Sequence, residues 1–193
     1  MITGNLEYLI SSLPYLSFQD TEDTRSKVFS TLIKYAESSG QEKNVITIFD
    51  EEAAKFLTPS DYHLLCQMNL ETIHKMIFQK NKNTVLAAFS KYVFAMKNDI
   101  KDLRMLRRNN SKQTSSKKGW LPIIPGNPLD EEIQLLKLQW NKLEALSIGH
   151  YTDFGALICY KLKLMLLLRW WSFDTDKGFG VFLQTIKKTE HGR

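Results

Sequence analysis

The stretch from Phe154 to Trp171 limits the fold more than any other part of the chain. Leu157, Leu164, Leu168 and Trp171 fall on one side of a helix, and Ile158, Leu162, Met165 and Trp170 on others. A helix that is apolar nearly all round lies at the centre of a packed bundle or inside a membrane. A membrane span needs about 20 residues with few or no charges, and Lys161, Lys163 and Arg169 interrupt this one. The segment is therefore expected at the centre of a bundle. Its three cations must snorkel to water or pair with carboxylates.

Other segments supply the surrounding helices. From Thr21 to Ser38, Val28, Phe29, Leu32, Ile33, Tyr35 and Ala36 recur at amphipathic spacing, and Ser38-Ser39-Gly40 ends the run. Asn5 to Phe18 reads as a short helix or an extended anchor. Val45-Ile46-Thr47-Ile48-Phe49 is the one strand-like run, but alone it has nothing to pair with. It reads as a buried loop or the start of a helix.

Thr58-Pro59-Ser60-Asp61 combines a capping hydroxyl, a proline at the first helical position and an acid in the first turn. The helix it starts is expected to reach about Phe78. A third long helix spans about Thr84 to Arg108. Asn127-Pro128 followed by Asp130, Glu131 and Glu132 repeats the start signal. Helices are then expected to about Leu146, from Thr152 to Trp171, and from Thr175 to Lys188. The fold class is all-α, an irregular helical bundle. Its expected organisation is an N-terminal helical lobe (1–108), a polar and basic linker with a Pro-rich turn (109–126), and a C-terminal helical lobe (127–193).

Composition narrows the functional classes. With 43% hydrophobic and 24% charged residues, the chain has the make-up of a globular protein. Its two cysteines, Cys66 and Cys159, lie in apolar runs without CxxC spacing and read as reduced core residues of a cytoplasmic protein. No secretory signal opens the sequence. The net charge of +5 is concentrated in one place. Between Lys97 and Lys118, eight basic residues face only Asp99 and Asp102, so the remainder is close to neutral.

No phosphate-binding glycine loop, zincin helix or nucleophile elbow is present. Asp174-Thr175-Asp176-Lys177-Gly178 imitates the start of a calcium loop, but Phe179 and Thr185 stand where glycine and glutamate are needed. His63 and Cys66 are one helical turn apart, yet His74, His150, His191 and Cys159 offer no second close pair. We therefore expect no catalytic residues, no metal and no cofactor. The basic segment admits two readings: a solvated helix end running into a linker, or a surface for phosphates or an acidic partner. Only Trp120 lies nearby as an aromatic, which favours a protein-facing role over nucleic acid.

Several motifs follow one another in the C-terminal part. They are Asn127-Pro128-Leu129-Asp130-Glu131-Glu132, Trp140-Asn141-Lys142-Leu143-Glu144, Gly149-His150-Tyr151-Thr152-Asp153-Phe154, Ala156 to Leu164, and Arg169-Trp170. Their succession resembles an uncharacterised helical family encoded in bacterial V/A-type ATPase operons. Tyr8 to Phe18 is similar to that family's opening. A more distant similarity is to the socket subunit of A-type ATPases, the helical component that joins the central stalk to the membrane ring. It rests on Tyr160 to Arg169 and on Asn98 to Arg108.

The resemblance implies a non-catalytic subunit or accessory factor, with the central stalk or membrane ring as its partners. It further implies a cytoplasmic location, peripheral to the inner membrane through the complex. The partner-facing candidates are Lys101, Arg104, Arg107, Arg108, Lys117, Lys118, Lys161, Lys163 and Arg169. The alternative is a free-standing basic helical module that binds nucleic acid or protein.

Overall fold

The computed structural model describes residues 5–35, 44–108, 122–124 and 126–173, without the side chain of Leu106. Among these residues the chain is all-α, with eight helices and no strand. They are α1 (Leu6–Ser12), α2 (Glu22–Ile33), α3 (Val45–Ala54), α4 (Pro59–Gln67), α5 (Met76–Gln79), α6 (Thr84–Arg108), α7 (Pro128–Ser147) and α8 (Phe154–Trp171). Most of the expected linker at 109–126, all but 122–124 and 126, lies outside the described residues, as do the expected helix at Thr175–Lys188 and the Asp174–Gly178 turn.

Short polar side chains start most of these helices by accepting free backbone N–H groups. Thr58 accepts from Asp61 N at 3.2 Å, and Asn127 accepts from Asp130 N at 2.8 Å. Both caps precede a proline in the first turn. Asn44 does the same for α3, accepting from Ile46 N at 3.0 Å. The strand-like Val45–Phe49 run is therefore the first turn and a half of a helix. Its β-branched residues are accommodated because Val45, Ile48, Phe49 and Ala53 all bury on one face, and tertiary burial outweighs intrinsic propensity.

The helix expected from Thr58 to Phe78 is broken. Met68 turns to extended backbone at φ −71° and ψ 125°, and the Asn69 side chain accepts from Glu71 N at 2.9 Å. A side-chain amide that satisfies a neighbouring N–H offers the backbone an alternative to helix. The break changes which residues face inward: Met68, Ile73 and Phe78 are buried, whereas Met76 and Ile77, which a continuous helix would carry on the apolar face, are exposed. At the other end, α7 gives way to Gly149 at φ +85°, a conformation that glycine alone adopts without strain.

Helix α8 packs against α1, α3, α6 and α7. Ten of its residues are buried, among them Leu157, Ile158, Leu162, Leu164 and Leu167. An extended stretch, Leu13 to Gln19, straps across it. Phe18 stacks on Trp170 with ring centroids 4.3 Å apart. Tyr160 donates to the Pro14 carbonyl at 3.0 Å, and Trp171 donates to the Gln19 carbonyl at 3.0 Å. The buried side chains form one continuous cluster running from Leu9 to Trp171.

The cap of α8 carries a pH-dependent contribution. Asp153 accepts from Ala156 N at 2.9 Å and pairs with Nδ1 of His150. Burial pushes the Asp153 carboxyl up, but these hydrogen bonds outweigh it and hold the group below its usual range. A depressed folded-state value means that the contribution is complete above the unfolded value and disappears as pH falls through the folded one. Asp153→Ala is expected to cost about 1 kcal/mol at neutral pH, with the gap to the parent protein closing below about pH 4. Urea denaturation at pH 7 and pH 3 measures both gaps.

Candidate functional site

The cations singled out in the sequence separate into three groups. Lys161 is not on the surface. It is 1% exposed, and its ammonium donates to Asp50 Oδ1 at 2.7 Å, Asp50 Oδ2 at 2.8 Å and the Leu65 carbonyl at 2.7 Å. All three protons have acceptors, so this lysine is an internal tie between α8, α3 and α4 and cannot meet a partner. Of the two outcomes expected for it, snorkelling to water or pairing with a carboxylate, Lys161 takes the second; the expectation that it faces a partner is corrected. Burial pushes the Asp50 carboxyl above its usual range, against the lowering effect of Lys161.

A second group is exposed or half-buried but already neutralised within the chain. Lys163 pairs with Glu144 at 2.9 Å and lies 5.4 Å from the ring centroid of Trp140. Arg169 pairs with Glu132 at 2.7 Å. Arg107 donates from one nitrogen to both oxygens of Glu131, at 2.9 and 2.8 Å. Those hydrogen bonds, with one from Gly126 N, hold the Glu131 carboxyl below its usual range. The acids concerned all sit on α7, a role that the sequence did not advertise beyond helix capping.

The third group is Lys101, Arg104 and Arg108. Each is exposed, and among the described residues no carboxylate lies within ion-pair distance of any of them. With Lys97 they recur every three or four residues along α6. At 3.6 residues per turn this places them on one face, over a length of about 16 Å. Lys97 sits at one end of the line, 3.0 Å from His74 Nδ1. Burial, Lys97 and Lys75 together lower the proton affinity of His74, so its ring accepts from the Lys97 ammonium. Lys117 and Lys118 lie outside the described residues.

This line of cations edges a groove of about 660 Å³ between α6, α7 and α8. The floor is apolar, built from Leu70, Met96, Ile100, Leu135 and Leu166, and the rim carries Lys97, Lys101, Arg104, Arg108 and Arg169. Two smaller hollows continue it. One of about 280 Å³ shares Ile100, Arg104, Glu132 and Leu135 with the groove and extends to Ile123 and Gly126. The other, about 290 Å³, shares Leu70, Glu71 and Arg169 and extends to Asn44 and Ile46. Together they form an open trough with an apolar floor and a cationic edge.

None of the described residues that line the trough is a histidine or a cysteine. No three His, Cys, Asp or Glu side chains converge as metal ligands among the described residues. His63 bonds Gln67 at 2.8 Å, and Cys66 beside it is exposed. Burial pushes the Cys159 thiol up to about 11, which leaves it protonated and inert at neutral pH.

Comparison with known families adds one finding. A family model described as a protein of unknown function (DUF2764) matches residues 121–193, the part of the chain that contains α7 and α8. No curated protein and no solved structure matches the chain.

Proposed function

We propose that the chain is a non-catalytic subunit or accessory factor of a bacterial V/A-type rotary ATPase. It acts as an adaptor between the central stalk and the membrane ring, in the manner of the A-type socket subunit. The observation that carries this reading is the succession of motifs from Asn127 to Trp170, which resembles a family encoded in such operons. These motifs fall on α7, on α8 and on the turn between them, and both helices contribute to the core. A rigid helical scaffold with one sparsely neutralised cationic face is what an adaptor needs, since it must present a fixed surface and select an acidic partner.

The membrane would be reached only through the complex. Among the described residues no helix is long and apolar enough to cross a bilayer. A nucleic-acid module is the weaker reading. None of the residues lining the groove is aromatic, and Phe94 beside the cations offers a single ring, so successive bases would find no stacking platform there.

Affinity purification of the tagged chain from native membranes in mild detergent tests the proposal. The expected result is recovery of V/A-type ATPase subunits in constant ratio to the bait. Repeated recovery of no ATPase subunit would overturn it.

A further inference from the structure

The geometry points to the trough along α6 as a docking site for an acidic amphipathic helix of a partner protein. The inference deepens the adaptor reading and rests on it only for the partner's identity; the chemistry of the surface stands by itself.

Lys101, Arg104 and Arg108 lack carboxylate partners among the described residues while Arg107 and Arg169, close by, have them. These three cations share one helical face without a direct ion pair among the described residues, Arg104 feeling Glu131 only at longer range. They repel one another and gain most from a ligand that supplies matching anions in a line. A second helix does so naturally, because its own residues at i, i+3 or i+4, and i+7 have the same rise.

The edges of the stripe are apolar. Met105 is 53% exposed and Phe94 is 44% exposed, and both fall to one side of the cations by helical geometry. Ile100 and Leu70 border the other side on the trough floor. An occupant with acids on one face and leucine-like side chains beside them would bury both kinds of contact. This is the helix-in-groove mode of recognition.

Other occupants fit less well. A lipid headgroup or a free phosphate would engage one or two cations and leave the rest of a line of about 16 Å unused. A continuous phosphate backbone carries a charge on every unit and would meet Glu71 and Glu132 on the trough wall, whereas a helix can turn its apolar face to that wall and keep its acids at the rim. The chain's own residues 174–193 carry three acids against four bases, so they do not supply an acidic stripe.

Fluorescence anisotropy with the full chain tests the docking site. The probe is a labelled synthetic helix of about 18 residues, with Glu at i, i+4, i+7 and i+11, Leu on the adjoining face and Ala elsewhere. The expected result is saturable binding that a scrambled peptide of equal composition does not reproduce. It should weaken about tenfold or more in Lys101→Glu/Arg104→Glu/Arg108→Glu and also in Met105→Glu. Circular dichroism and the thermal midpoint should show both variants folded.

Equal binding of the scrambled peptide, or insensitivity to these substitutions, would overturn the inference. So would tighter binding of duplex DNA or phosphatidylglycerol vesicles at the same salt, or a concentration-dependent self-association that the triple reversal abolishes. If the parent chain and the triple reversal recover ATPase subunits from membranes equally, the docking inference fails and the adaptor reading stands. If the peptide binds as expected but no ATPase subunit is recovered, the adaptor reading fails and the docking surface stands.

Discussion

Asp50→Ala should destabilise the chain by about 3–5 kcal/mol, the cost of leaving a buried charge without its partner. The Lys161 ammonium, 1% exposed, would keep only the Leu65 carbonyl as an acceptor. Against a typical domain stability of about 5–15 kcal/mol, that is a large fraction of the whole. The double replacement Asp50→Leu/Lys161→Met should recover most of the loss, because methionine follows much of the lysine stem and no orphaned charge remains.

The sign of the Asp50 titration agrees with this. Its carboxyl is raised by burial above the usual range, despite Lys161. The folded state therefore holds the Asp50 proton more tightly than the unfolded chain does. The contribution from this group is largest at low pH and is lost as pH rises through the folded value. The ion pair is a weak net stabiliser that is expensive to break. Urea titrations of the single and double variants separate the two effects, and a single variant as stable as the parent would refute the buried tie.

Charge reversal of the exposed stripe should do the opposite. Lys101→Glu/Arg104→Glu/Arg108→Glu is expected to shift stability by no more than about 1–2 kcal/mol, as surface substitutions do individually by about half a kcal/mol. Part of that cost comes from placing Glu near the C-terminal end of the α6 dipole. Recovery of partner proteins should nevertheless collapse. Reversal at Lys161 would unfold the chain and reports nothing about a partner. The nine cations that look alike in the sequence thus differ: one holds the core, three are neutralised by α7, three have no carboxylate partner among the described residues, and Lys117 and Lys118 lie outside the described residues.

The difference was only partly legible beforehand. Thr58-Pro59 and Asn127-Pro128 announced α4 and α7 because capping chemistry is local, and the all-round apolarity of Phe154–Trp171 announced its place at the centre. The break after Gln67 stayed hidden, since apolar residues continue on both sides of it and the turn is made by a single asparagine, Asn69. The partner of Lys161 lies 111 residues away in sequence, so nothing near Lys161 reveals whether it pairs inward or faces out. The basic segment was visible as composition. Which of its members are neutralised depended on α7 lying against α6 and α8, where Glu131, Glu132 and Glu144 meet Arg107, Arg169 and Lys163.

One measurement bears most directly on the adaptor proposal. A photo-crosslinking amino acid at Met105, beside the cationic line, can be activated in native membranes and its adducts identified by mass spectrometry. The proposal predicts a discrete adduct with a stalk or ring component of a V/A-type ATPase, mapping to an acidic helix of that component and lost in the triple reversal. Adducts confined to nucleic acid or to proteins outside the ATPase would contradict it.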